Sequence, residues 1–259
     1  MTKNSEVPIR AKTPRICTID IETSPGIAQV WGLFKQTVSL SQLQEATRVI
    51  SFAAKWRGKD KVHFFSEFHH GSKKMLQAAH EILSEADVVI HYNGTSFDIP
   101  HLKREFWLSN MPPPEPFMEI DLMRVIKRNF RFMSNKLQHV SEQIGIGSKI
   151  AHEGHKLWTM CLLNDRSAWG RMREYNKQDV ALTERLYESL IPWIDNHPHM
   201  GLVSREGGES CNKCGSRNIQ YRGFAQTRST LYRKFQCNKC RGWGRVASKS
   251  MSIKTMGIK

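Results

Sequence analysis

The chain has no apolar run approaching the roughly 18–20 residues that cross a bilayer, which excludes a membrane-spanning helix. Its first residues, MTKNSEVPIRAK, are polar and lack the apolar centre of a secretory signal. A cytoplasmic protein is therefore expected, and structural disulfides are rare in that compartment. The six cysteines thus call for another role. There is no internal repeat. Acidic residues are scarce, 24 against 39 Lys and Arg, for a net charge of +15. The imbalance is uneven: residues 1–199 hold 26 basic against 22 acidic side chains, and residues 200–259 hold 13 against 2, a net of +11. Such asymmetry points to a polyanionic partner, most simply nucleic acid, with a solvated basic face as the plainer alternative.

What is present fits one sizeable domain and an accessory module within 259 residues. RICTIDI (15–21), VISFAAKW (49–56) and KVHFFSEF (61–68) read as three strands, with GKD as a turn between the last two. Helical spacing over 73–84 is followed by a short apolar strand, ADVVIHY (86–92), and by a helix over 97–110. MPPPEP (111–116) is an extended connector, a strand follows at 117–120, and a further helix runs from near Ser134 to Gly145. The stretch 146–165 has no clear reading, and a long amphipathic helix spans about Ser167 to Leu190. Strands followed by alternating helices and strands predict an α/β domain with a mixed sheet.

Four acidic residues occupy positions where a fold prefers apolar side chains. Asp20 and Glu22 share one face of the first strand, roughly 6–7 Å apart. Asp98 opens the helix after an apolar strand. Asp179 lies on a stripe formed by Met172, Tyr175, Asp179, Leu182, Leu186 and Leu190, at spacings of 3 and 4. Each has a bland account: a solvated acidic edge, charge at a helix N-terminus, and a buried Asp satisfied by Arg or an amide. Asn93 reads equally as a turn residue, and Phe97 as a core residue. Buried together, however, the carboxylates would need a cation.

In order and spacing these residues resemble the DEDD (DnaQ-like) superfamily of 3′–5′ exonucleases, which has the ribonuclease H-like fold. Asp20, Glu22 and Thr23 match its first motif, Asn93, Phe97 and Asp98 its second, and Tyr175 and Asp179 the Y-x-x-x-D of its tyrosine subclass. The histidine subclass would need His at the position of Glu174. The match covers roughly residues 13–195 and is nearest to stand-alone phage and bacterial members related to family B polymerase proofreading domains. No polymerase domain follows, so proofreading in cis is not expected.

The resemblance implies a five-stranded mixed sheet flanked by helices and two-metal phosphodiester hydrolysis. Asp20 would bridge two Mg²⁺ or Mn²⁺ ions, Glu22 and Asp179 would complete the first site, and Asp98 would hold the second. Tyr175 would orient the attacking water. Thr23, Asn93 and Phe97 are candidate substrate contacts. Lys127, Arg128 and Arg131, interleaved with Phe130 and Phe132, are candidate single-strand contacts, or else the basic outer face of an amphipathic helix. His152, His155 and the pairs at 69–70 and 197/199 lack partners at metal spacing and read as surface or loop residues.

Cys211-x₂-Cys214 and Cys237-x₂-Cys240, separated by 22 residues, match the spacing of a Cys₄ zinc ribbon. Both knuckles read C-N-K-C, with Gly215 and Gly242 suited to their turns, and residues 219–236 read as the hairpin between them. Cys17 and Cys161 sit in apolar contexts. The expected organisation is an exonuclease domain (13–195), a linker (196–209), a zinc ribbon with one structural Zn²⁺ (210–246) and a flexible basic tail (247–259). DNA is the expected substrate; the alternatives are RNA, a branched DNA structure, or a catalytically silent scaffold that binds nucleic acid. Replication or repair proteins are the expected protein partners.

Overall fold

The computed structural model describes residues 11–150, 153–205, 207–246 and 250–252. Residues 15–187 form one unit, and the described residues outside that span form a second.

The first unit is built on β1 (Ile16–Thr23), whose β-branched, apolar sequence suits a strand covered on both sides. After it come β2 (Ile27–Ala28), β3 (Leu43–Glu45), β4 (Val49–Trp56) and β5 (Val62–Ser66). α1 (Glu67–His70), α2 (Ser72–Glu85), β6 (Val88–His91), α3 (Asp98–Leu108), β7 (Met118–Asp121) and α4 (Leu122–Asn129) follow. α5 (Leu137–Gln143), α6 (His155–Leu162) and α7 (Arg166–Leu190) complete the series. The main sheet runs β5-β4-β1-β6-β7. β1 pairs antiparallel with β4 and parallel with β6, so the sheet is mixed, as the resemblance implies.

Strand alternation divides the core in two. Cys17, Ile19 and Ile21 pack on one side with Leu76 and Leu83 of α2 and with Leu102 and Phe106 of α3. Leu157 and Cys161 of α6 pack with Trp169, Met172 and Tyr175 of α7 in a second cluster. A register shift leaves Ile50 between Ser51, opposite Glu22, and Val49, opposite Thr23, and Ile50 joins this second cluster. The side of β1 bearing Asp20 and Glu22 is thereby set toward α7.

Several sequence expectations are corrected. The strand expected over 61–68 stops at Ser66, whose hydroxyl accepts the His69 N–H at 3.1 Å and caps α1. The helix expected from Ser134 starts at Leu137. The unread stretch 146–165 contains α6. The segment between β2 and β3, which the sequence left unassigned, leaves Trp31, Leu33, Phe34 and Leu40 almost wholly exposed.

In the second unit, α8 (Met200–Val203) falls inside the expected linker, because Met200 and Val203 are buried. β8 (Ile219–Gln226) and β9 (Thr230–Cys237) form the expected hairpin, with β10 (Trp243–Arg245) on the other edge of β9. Residues 247–249 and 253–259 of the expected tail lie outside the described residues, as does His152. The tail is nevertheless not featureless, since β11 (Met251–Ser252) pairs with Leu231 and Thr230 of β9.

Candidate functional site

β1 is longer than its parallel partner. It pairs with β6 only from Ile16 to Thr18, which leaves the Ile21 N–H without a strand acceptor on that edge. Asp98, the first residue of α3 and 3% exposed, accepts this N–H through Oδ1 at 3.1 Å. The second carboxylate motif is thus fastened to the backbone between Asp20 and Glu22. On the other side of β1, α7 brings in Asp179, 2% exposed. Carboxylate oxygens of Asp20, Glu22 and Asp179 lie within 4.8 Å of one another. All six residues of the α7 stripe are buried.

This crowding has an electrostatic cost. Burial drives Asp20 well above the usual carboxylate range, and the charges of Asp98, Asp179 and Glu22 add to the effect. Desolvation, then Asp179, pushes Glu22 up to about 8. Burial pushes Asp98 up to about 6, against the pull of His91 and the Ile21 amide. Converging oxygen donors that resist ionisation and include no imidazole or thiolate fit a hard divalent cation such as Mg²⁺ or Mn²⁺.

Three further residues serve this cluster, and the sequence reading missed them. Asn176, fully buried, donates from Nδ2 to Asp20 Oδ2 at 2.6 Å and accepts from Ser51 Oγ at 3.1 Å. Lys149 donates to Asp179 and, at 3.2 Å, to the Tyr175 hydroxyl, with its ammonium 5.2 Å from the Tyr175 ring centre. Asn176 could have been suspected as a polar neighbour of the Tyr175 stripe. Lys149 follows a Gly- and Ser-containing stretch without periodicity, so no signal marked it.

The loop after β6 holds the second motif. Asn93 adopts a left-handed conformation (φ 67°), and its N–H donates to Asp121 Oδ1 at 2.9 Å, a turn role. The Gly94 N–H donates to Nδ1 of the buried His91 at 3.0 Å. A Cβ on Gly94 would lie 2.3 Å from His91 Cγ, so this approach requires glycine. Phe97 is not in the core: it precedes α3, is 38% exposed, and meets the edge of His101 at 4.7 Å. Thr23 lies at the end of β1, half-buried, at the register shift.

Lys127 and Arg128 are exposed in the last turn of α4, where cations complement the helix dipole. Arg131 follows, donating to the Lys127 carbonyl at 3.3 Å, and the Phe130 and Phe132 rings are 6.0 Å apart. Neither Lys127 nor Arg131 pairs with the carboxylates. His197, expected at the surface or in a loop, lies in a loop and is buried there, 2.8 Å from the Pro198 carbonyl.

In the second unit the thiols of Cys211, Cys214, Cys237 and Cys240 lie within 4.8 Å of one another, and none is in a disulfide. Cys211 faces Cys240 and Cys214 faces Cys237, each at 3.6 Å. Tetrahedral zinc with bonds of about 2.3 Å sets its sulfurs about 3.8 Å apart, so the cluster fits that ion. Gly215 (φ 74°) makes the first knuckle's turn as expected. In the second, Arg241 (φ 64°) takes the left-handed position in place of Gly242, whose N–H donates to Cys240 Sγ at 3.4 Å. Cys17 and Cys161 are buried, and burial pushes both thiols up to about 12.

Among the described residues no helix is long and apolar enough to cross a membrane. A family model described as the RNase_H superfamily matches residues 37–191, more than half of the chain. No curated protein matches. Among solved structures, the chain is similar to the family B DNA polymerase from the hyperthermophilic archaeon Pyrobaculum calidifontis, with a TM-score of 0.55 and 18% identity. That alignment covers 74% of this chain and 26% of the polymerase, so the chain spans about a quarter of that protein's length, and the likeness is one of fold.

Proposed function

From the premise that the chain belongs to the RNase_H superfamily, we propose that it is a metal-dependent 3′–5′ exonuclease of the tyrosine-subclass DEDD type, acting on DNA. The observation that carries this reading is the convergence of Asp20, Glu22 and Asp179, with oxygens within 4.8 Å, beside an Asp98 fastened to the same strand. In this reading residues 13–195 are the nuclease domain, and residues 210–246 are a zinc ribbon that holds nucleic acid.

Asp20, Glu22 and Asp179 would hold one Mg²⁺ or Mn²⁺, and Asp20 with Asp98 a second. Bound there, the cations would supply charge to polarise the scissile phosphate and to stabilise the leaving 3′ oxygen. The protein's own groups position the reactants. Asn176 holds Asp20 in one orientation through its 2.6 Å hydrogen bond. The Tyr175 hydroxyl, raised above its ordinary range by burial and then by Asp179, stays protonated and offers a hydrogen bond to the attacking water. Lys149 tethers Tyr175 to Asp179. Water adds to phosphorus, the bond to the 3′ oxygen breaks, and a nucleoside 5′-monophosphate leaves.

The test uses 3′- and 5′-labelled DNA and RNA oligonucleotides with Mg²⁺, Mn²⁺ or EDTA. Stepwise shortening of DNA from the 3′ end only with metal is expected. Asp20→Ala and Asp179→Ala should abolish it while keeping the circular dichroism of the parent. Cleavage by both variants at the parental rate refutes the assignment, and absence of cleavage of any substrate by the parent refutes the activity.

A further inference from the structure

The antiparallel pairing of β9 and β10 sets Trp243 opposite Gln236, Gly244 opposite Phe235, and Arg245 opposite Lys234. Directly opposed residues share a face, and so do residues two apart. Phe235 and Cys237 therefore point to one side, where they are buried with Cys211. Tyr232, Lys234, Trp243 and Arg245 share the other side. There the Lys234 ammonium lies 5.5 Å from the Trp243 ring centre and the Arg245 guanidinium 4.3 Å from that of Tyr232. Two aromatics and two cations thus alternate on one small sheet face, and Trp243 remains 48% exposed.

This arrangement is unfavourable in the free protein. Like charges directly opposite on a sheet are destabilising, and neither Lys234 nor Arg245 has a carboxylate partner among the described residues. A cleft of about 600 Å³ runs past the edge strand β10: Lys234, Trp243 and Arg245 line it together with Phe235 and Gly244 of the other face and with Asp195, His199 and Ser210. A ligand that relieves the repulsion must carry an anion, and one that covers Trp243 must carry a flat apolar surface. A nucleotide has both in one repeat. Duplex DNA offers the phosphates but keeps its bases stacked.

We propose that this face of the Cys₄ module is a binding site for single-stranded nucleic acid, with one base stacked on Trp243 and a phosphodiester held between Lys234 and Arg245. His199 and Ser210, which line the same cleft, offer hydrogen bonds to the edge of the stacked base. The proposal rests on the reading of residues 210–246 as a nucleic-acid grip and adds where it grips and what form of strand it takes.

The experiment measures binding of fluorescent single-stranded oligo(dT), the matching duplex, heparin and poly-glutamate to the full-length, zinc-loaded protein without magnesium. Trp243→Ala should weaken oligo(dT) binding about tenfold, as loss of one stacked base does, without changing heparin binding. Trp243→Phe should recover most of the loss. The Lys234→Gln, Arg245→Gln double variant should lower the slope of log affinity against log salt by about 0.7, the value for one phosphate on a single strand. Zinc content checks folding. If Trp243→Ala loses zinc, quenching of 2-aminopurine placed in the oligonucleotide, compared between parent and Trp243→Phe, reads the stacking instead. Oligo(dT) affinity indifferent to residue 243 overturns the proposal, as does a preference for duplex or for poly-glutamate. Magnesium-dependent cleavage on the same proteins separates the two readings: binding that depends on Trp243 without cleavage refutes only the nuclease, and cleavage with binding indifferent to Trp243 refutes only this site.

Discussion

At the residue scale the site is a set of carboxylates held above their ordinary range, and the sign of the consequence follows from that. Glu22 goes from an ordinary value near 4.5 to about 8. Between those values the folded protein binds a proton that the unfolded chain releases, so without metal stability falls as pH rises through this window. A divalent cation binds the ionised form and must expel the proton. Cation affinity is therefore expected to rise from pH 6 to about 8 with proton release that fades above it. Calorimetric titration with Mg²⁺ in buffers of different ionisation enthalpy measures this, and pH-independent binding without proton release would contradict it. Lys149 lowers the values of both Asp20 and Glu22, so Lys149→Met should move the same rise to higher pH. Asp20 and Glu22 were legible because a strand's period of 2 puts alternate residues on one face. Asn176 was not, because its partners Ser51 and Asp20 are 125 and 156 residues away in sequence.

At the scale of elements, α7 serves both the carboxylate site and the second apolar cluster, since it carries Asp179 and Tyr175 as well as the buried Trp169 and Met172. Gly170 lies within this helix with open space where a Cβ would go. Gly170→Ala should raise stability by about 0.5–1 kcal/mol. Gly94→Ala should do the opposite, because its Cβ meets the His91 ring and the turn carrying Asn93 to Asp98 must shift. Urea unfolding of both variants gives the comparison, and equal midpoints would show that neither backbone site constrains the fold. The long helix and the central strands were readable because each has a sustained apolar period. β2 and β3 were not, since two- and three-residue strands carry no period and the segment between them exposes Trp31, Leu33 and Phe34. α1 was missed for a local reason: a residue that continues an apolar strand pattern, Ser66, also caps a helix.

At the scale of the molecule, composition changes near residue 200, and the basic, cysteine-bearing residues beyond it belong to a different unit from residues 15–187; charge and cysteine content need no periodicity to be seen. Its size explains its chemistry. The buried cluster around the cysteines holds only Cys211, Phe235 and Cys237, with Ile219, Tyr221 and two further cysteines packed partly against it. So small an apolar core cannot offset the entropy of ordering the β8–β9 hairpin. Zinc bound by the four thiols would then supply folding energy for this unit, and its loss should unfold the hairpin locally. Residues 15–187 hold their own two clusters and contain none of these thiols. Removing zinc with a chelator, or replacing Cys237 by Ser, should therefore abolish amide-exchange protection over 219–237 and leave α7 protected. Hydrogen exchange read by mass spectrometry decides it. Simultaneous loss of protection in β1, β4 and α7 would mean that the two units fold as one, and unchanged protection in β8 and β9 would mean that the hairpin stands without metal.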